Sequence, residues 1–500
     1  TFVKESNFIN KKKNTTVNVH KKTWHVETYL SGIFSINLAR STKHYEKALI
    51  EKVFAQNHIN ASYFEVVLII SFILVGLFRD TSWLNIPAGA SIFLLFTLLI
   101  MLFSVFYSWL KGWTLTVVIL SILGFNYMSN HSDWFQFKNY AYGLNYKENV
   151  NYDYKSIKEI SQNVNRLKLS NQNAINMLEN WKKKNNYQHN KPKMIFVNTS
   201  GGGLRSALWT VHVLKHLDSL SNDKFFKQTH LITGASGGMI GAGFYREYFY
   251  QKNNKNLSFN VSELRERISS DLLNPLAFSI ATTDMFFRFK KFDDGKYEYT
   301  KDRGWFFEKI LSNNFGLLKE KRLNDYIDPE YESQIPMMIF SPSTVNDGRR
   351  VLISSQPISF LCYDDTSVIS ENPSFENIEY SYMFSKNDPL NLKFTSALRM
   401  NATFPYVLPM VLLPTNPNIW LMDAGVRDNF GLSTSLSYIN KFKHWINANT
   451  SGIIVVQIRD KEKNSPSKKI NTGSLMYKLF TPLTNVYSNF LKIQDYKNDY

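Results

Sequence analysis

The pattern of apolar and polar positions changes character twice along the chain. Residues 81–110 hold no charged side chain, and 92–106 are almost continuously large and apolar. A second uncharged run covers 112–130, and a shorter one covers 66–78 between Glu65 and Arg79. Thirty uncharged residues exceed the roughly 20 that a helix needs to cross hydrocarbon, and a helix apolar on every face has no water-facing side. The expectation is a block of about three transmembrane helices over 61–130. Tyr63, Trp83, Trp109, Trp113 and Tyr127 fall near the ends of these runs, where amphipathic rings favour the headgroup layer. Residues 131–190 are polar and rich in Asn, Lys and Tyr; they read as a connector with one helix over 173–184.

From residue 191 the texture alternates between strand and helix. Met194 to Asn198 is a short apolar run, Gly201-Gly202-Gly203 is a turn, and Ala207, Leu208, Val211, Leu214 and Leu217 then recur at helical spacing. The succession returns at Leu231-Ile232, Gly234-Ala235-Ser236-Gly237-Gly238 and a helix from Met239. Gly241 and Gly243 inside that helix cost it about 1 kcal/mol each, so they mark close packing against a neighbour. Asn418 to Met422 reads as a strand running into Asp423-Ala424-Gly425. Repeated strand-turn-helix units predict an α/β fold, with sites at the carboxyl ends of parallel strands. Asn346-Asp347-Gly348 reads as a hairpin turn, and Phe286 to Tyr299, dense in Phe, Tyr and Lys, fits either an interfacial lid or a solvated loop.

Charge refines the picture. The chain carries 58 basic and 41 acidic residues, a net +17, and its first 60 residues hold ten basic against four acidic side chains. A basic segment running into apolar spans suits an anionic leaflet. No zinc-finger spacing, RNA-binding aromatic motif or heptad array accompanies it, so no nucleic-acid partner is expected. The single cysteine, Cys362, excludes an intrachain disulfide and any cysteine-based metal site. Five hundred residues call for more than one unit: a basic N-terminal segment over 1–60, the membrane block over 61–130, the connector over 131–190 and an α/β domain over 191–500.

The chemistry sits at the glycine corners. Gly-x-Ser-x-Gly holds a serine on a tight strand-to-helix turn with its hydroxyl exposed. Three glycines at a helix N-terminus form a nest of N–H donors for an anion. Ser206 replaces the third glycine of a dinucleotide loop and no Gly-Lys-Ser/Thr follows, which argues against phosphate binding. Composition alone would produce the two motifs at roughly 0.07 and 0.04 per chain, so their joint occurrence between matching elements is informative. A serine nucleophile needs a base. Asp423 is the stronger candidate; His444 is the only late histidine, and His230 lies at the wrong end of its strand. His212 and His216 stand four apart on a helix but lack an adjacent Glu and a third ligand, so no metal is expected.

Taken in order, Gly201-Gly202-Gly203-Leu204-Arg205, Gly234-Ala235-Ser236-Gly237-Gly238 and Asp423-Ala424-Gly425 resemble the three signature blocks of the patatin-like phospholipase family. The resemblance covers roughly residues 193–460. It implies a three-layer α/β fold with helices on both faces of the sheet, here preceded by an all-α transmembrane block. It also implies a cofactor-free serine acyl hydrolase of phospholipase A or lysophospholipase type, acting on phospholipid or another lipid ester. Ser236 would be the nucleophile, Asp423 its dyad partner, and Gly201, Gly202, Gly203 and Gly237 the oxyanion hole. Arg205 would meet a lipid headgroup, or alternatively pair with a surface carboxylate. Ser396 to Pro405 is similar to the small-residue Ala-x-x-Pro stretch of that family. Two positions depart from its pattern: Ser206 where glycine is common, and Asp-Ala-Gly where Asp-Gly-Gly or Asp-Gly-Ala is usual. The expected setting is a bacterial-type, membrane-anchored protein of the cytoplasmic membrane, on either face. The alternatives are a noncatalytic lipid-binding scaffold and a Ser-His-Asp esterase using His444.

Overall fold

The computed structural model describes residues 28–32, 35–39, 44–77, 86–132, 138–185, 191–255, 259–284, 288, 290–363, 375–404, 407–462 and 492–496. Two compact units result, 1–80 with 93–126, and 81–92 with 127–500.

The first unit carries an antiparallel pair, β1 (Thr28–Gly32) and β2 (Ser35–Leu38). The apolar runs fold as α1 (Lys47–Leu77), α2 (Ala88–Leu110) and α3 (Thr114–His131). Two of the three expected spans are long and apolar enough to cross a membrane by length and composition: 47–76 at mean hydropathy 2.0 and 88–110 at 2.5. With 18 residues, α3 is only about 27 Å long at ~1.5 Å per residue, short of a ~30 Å hydrocarbon core. Phe64, Phe93, Ile100 and Leu120 are exposed, giving these helices the lipid-compatible surface that water would penalise. The indole N–H of Trp109 donates to the buried Ser62 hydroxyl at 2.6 Å, which satisfies a polar group between two apolar helices. Of the expected interface anchors, Trp83 lies outside the described residues, as do Lys4 to Lys22 of the basic segment.

The second unit is built on α4 (Val164–Asn185), β3 (Met194–Thr199), α5 (Gly203–Leu220), β4 (Thr229–Gly234) and α6 (Ser236–Lys255). There follow α7 (Arg303–Phe315), β5 (Met337–Phe340), β6 (Ser343–Thr344), β7 (Arg350–Leu352), β8 (Asn377–Glu379) and α8 (Phe394–Met400). The chain closes through β9 (Val411–Leu413), β10 (Ile419–Met422), α9 (Leu432–Asn449) and β11 (Ile453–Ile458). Four strands form a parallel sheet in the order β11-β3-β4-β5. Strand alternation makes the layers: Ile195, Val197, Ile232 and Met338 face a core shared with α5 and α6, whereas Met194, Phe196, Leu231, Met337 and Ile339 face one shared with α4 and α9. Helices thus cover both faces, as expected for parallel strands apolar on each side.

The central helix is α6, buried from Gly237 to Phe249. As its glycines imply, it sits against its neighbours with no room for side chains: a Cβ on Gly241 would enter the Ala207 carbonyl of α5, and one on Gly243 would press on Phe394 and Leu398 at 3.2 and 3.3 Å. Its buried Arg246 pairs with buried Glu330, whose carboxyl is pushed up to about 7 by burial, offset by that same arginine.

Three readings change. The expected connector is, over its described residues 138–185, part of the folded domain: Ala174, Met177, Leu178 and Trp181 are buried at helical spacing on α4, and Ala141, Leu144 and Ile157 join the other core. Polar residues between those positions diluted the stripe. The strand before Asp423 belongs to a second, mixed sheet of order β8-β7-β6-β10-β9, with β10 antiparallel to both neighbours, rather than to the parallel sheet. Within 286–299, strands Lys291–Asp293 and Glu298–Thr300 form a hairpin whose Tyr299 is buried; its hydroxyl donates to Leu144 O at 2.8 Å, so this part is core structure and neither lid nor free loop. Phe286 and Phe287 lie outside the described residues. Around 346–348, β6 and β7 pair antiparallel as a hairpin requires.

Candidate active site

The carboxyl ends of the parallel strands fall in register. Thr199 pairs with Gly234 and Ile458, and Gly234 with Phe340, so the turns leaving β3, β4, β5 and β11 emerge at one edge. The β4 turn is strained. Ser236 has φ 51°, a left-handed conformation costing a non-glycine residue about 1–2 kcal/mol. Surrounding hydrogen bonds hold it there: Ala235 N–H donates to Thr199 O at 3.0 Å, and Ser236 N–H to Asn401 O at 3.0 Å.

Asp423 meets this corner from the other sheet. Its carboxyl accepts the Gly425 N–H at 2.7 Å, and the Ser236 side chain stands close enough to lower its pKa; the Asn401 carbonyl joins the two turns by accepting N–H from both Ser236 and Ala424. Burial pushes the Asp423 carboxyl up to about 7, with the Gly425 N–H and the nearby Ser236 side chain pulling the other way. Both residues keep part of their surface open to solvent. The site therefore brings a serine hydroxyl and a buried carboxyl of raised pKa together at one edge of the sheet.

Two helix N-termini face this pair. Helix α5 begins at Gly203 and α6 at Ser236, and first-turn N–H groups have no acceptor within their own helix. The termini abut, since a Cβ on Gly237 would occupy the Gly203 carbonyl. The N–H groups of Gly203 and Gly237, with Gly202 ahead of them, lie where the helix dipoles favour negative charge. Gly201 differs from the expectation. It lies beside Ser236, a Cβ on it falling 3.4 Å from the serine's own, but its N–H is taken by Asn429, with Oδ1 at 3.1 Å and the carbonyl at 3.3 Å. It lines the site without a donor to spare.

Arg205 takes the surface-carboxylate alternative: its Nη2 lies 2.5 Å from Asp460 Oδ2. That carboxylate also sits against Gly202, where a Cβ would collide with it, and Asp460 N–H donates to Ser200 Oγ at 3.0 Å. The other candidates fall away. His444 is exposed on α9, twelve residues and about 18 Å beyond the helix start. His230 is buried at the far end of β4 against the Tyr438 hydroxyl at 2.7 Å, with its pKa lowered to about 4 by burial. Among the described residues, no group of three or more His, Cys, Asp and Glu could hold a metal ion.

Two residues escaped notice in the sequence. Buried Asn401 donates its Nδ2 to Gly234 O at 3.0 Å, accepts Ser341 N–H on Oδ1 at 2.9 Å, and accepts both Ser236 and Ala424 N–H on its carbonyl. Asn429 ties the glycine loop to the aspartate segment. Only their positions beside Pro405 and within the Asp423 run could have signalled them; Pro405 itself lies outside the described residues.

Comparison with known proteins gives the following. The family model described as patatin-like phospholipase matches residues 199–435, spanning the glycine loop, Ser236 and Asp423. No curated protein matches the chain. Among solved structures, human GIVD cytosolic phospholipase A2 in complex with methyl gamma-linolenyl fluorophosphonate is similar at 14% identity, with 42% of this chain and 29% of that chain covered and a TM-score of 0.23. This chain thus accounts for less than a third of that protein's length.

Proposed function

Since residues 199–435 form a patatin-like phospholipase domain, we propose that the chain is a membrane-anchored serine acyl hydrolase that cleaves lipid acyl esters through a Ser236–Asp423 dyad. The observation that carries this reading is the strained Ser236 corner brought beside the buried Asp423 turn, the two sharing the Asn401 carbonyl. Asp423 takes the hydroxyl proton as Ser236 Oγ bonds to the ester carbonyl carbon. The N–H groups of Gly202, Gly203 and Gly237 receive the oxyanion, each such donor being worth about 2.7–4 kcal/mol in comparable sites. Collapse breaks the ester bond, and the leaving alkoxide takes the proton from Asp423. Asp423 then deprotonates a water that attacks the acyl-serine, and the fatty acid leaves as Ser236 recovers its proton. The helices over 47–76 and 88–110 support anchoring at the substrate's own surface.

A noncatalytic lipid-binding role would follow if the Asp460 carboxylate beside Gly202 still opposed a developing oxyanion despite its ion pair with Arg205. Hydrolysis of phospholipid vesicles by the full chain, lost in Ser236→Ala and in Asp423→Asn with unchanged circular dichroism, supports the enzyme. Equal turnover in wild type and Ser236→Ala would refute it.

A further inference from the structure

The aspartate turn is held from outside the matched domain. Residues 492–496 form a short helix whose Gln494 has its whole amide engaged at the site. Its Nε2 donates to Gly425 O at 3.1 Å and to Val426 O at 2.9 Å, while its Oε1 accepts Asn429 N–H at 2.8 Å. Next to it, Asp495 pairs with Arg459 at 2.9 Å, one residue past β11 and one before Asp460.

We propose that Gln494 is a positioning residue that fixes the Asp423 turn and, through Asn429, the glycine loop. The inference rests on the dyad reading of the same site. One side of Gly425 gives its N–H to Asp423 Oδ1 and the other gives its carbonyl to Gln494, so the bond that lowers the carboxyl's pKa is held by the amide beyond it. Asn429 occupies the remaining acceptor with its N–H and uses its own oxygens to hold Gly201. One side chain therefore couples base and oxyanion loop, whose relative placement is what an acyl-transfer site depends on. A glutamine suits this, offering two donors and an acceptor without charge. A carboxylate there would face two carbonyl oxygens and raise the Asp423 pKa further through like-charge repulsion.

The test measures the rate at which a fluorophosphonate probe labels Ser236 in the full-length chain in phospholipid vesicles, across acid to mildly alkaline pH, for wild type, Gln494→Ala and Gln494→Glu. Gln494→Ala should label about ten- to a hundredfold more slowly, and the pH midpoint should move to the alkaline side, because the loosened turn gives up the Gly425 bond to Asp423. Gln494→Glu, which keeps the acceptor for Asn429, should show the larger alkaline displacement. A merely structural contact would lower the amount of folded protein without moving the midpoint of what remains. Wild-type rate and midpoint in both variants would overturn the role of Gln494 and leave the dyad standing. Absence of Ser236 labelling in the wild type would overturn the dyad reading, and this inference with it.

Discussion

The backbone carbonyl of Asn401 accepts the N–H of Ser236, while its side chain holds Gly234 O and Ser341 N–H. One buried residue thus fixes the serine corner from both sides and reaches the aspartate turn through Ala424 N–H at 3.4 Å. Replacing Asn401 with Ala strands a buried carbonyl and a buried N–H, each costing about 1–3 kcal/mol. Denaturant unfolding of Asn401→Ala should show a loss of about 2–4 kcal/mol together with slower ester hydrolysis. Wild-type stability would show that water replaces both bonds without cost.

Asp423 sets the pH dependence. It must be ionised to take the Ser236 proton, so the rate should climb as pH rises through about 7. Asp423→Asn should remove that limb along with the activity, and a rate independent of pH across this window would argue against a carboxylate base.

Stability should respond in the opposite sense. The folded carboxyl sits above its usual 3.8, so its contribution is fully present below that value and is lost as pH rises through about 7. The part-open position of the group limits the effect to on the order of 2 kcal/mol. Thermal unfolding should find Asp423→Asn more stable than wild type above neutral pH and little different in acid. A constant difference at all pH values would contradict this.

Arg205 and Asp460 make a rescue experiment. Left alone beside Gly202, the Asp460 carboxylate would act against the oxyanion, so Arg205→Gln should lower kcat with little change in KM. Adding Asp460→Asn should restore most of it. If Arg205→Gln raises KM instead and Asp460→Asn does not rescue, the arginine binds the substrate's headgroup.

The abutting helix termini predict a sharp steric effect. In Gly237→Ala the new methyl displaces the Gly203 carbonyl and moves the donors off the oxyanion position, which should reduce kcat on the order of a hundredfold with the fold retained. Steady-state kinetics at saturating substrate checks it.

The corners at Gly201–Gly203 and Ser236 were legible in the sequence because their conformation demands a local residue pattern at the end of an apolar strand. Their convergence with Asp423 was inferred from order and resemblance, although β10 runs in an antiparallel setting that the apolar run could not reveal. The buried stripe of α4 was hidden by the Asn and Glu residues between Ala174, Met177, Leu178 and Trp181. Asn401, Asn429, Asp460 and Gln494 act through partners tens to hundreds of residues away, and a hydrogen bond over that separation leaves no local periodicity. Arg205 illustrates the same limit: its sequence neighbours gave no means of choosing between Asp460 and a lipid headgroup.

The most direct measurement of the central claim is the peptide mass map of the full-length chain after reaction with a fluorophosphonate, with and without Asp423→Asn. The account predicts a single adduct on Ser236 in the wild type and its near-complete loss when Asp423 cannot accept a proton. An adduct on a different residue, or undiminished Ser236 labelling in Asp423→Asn, would contradict it.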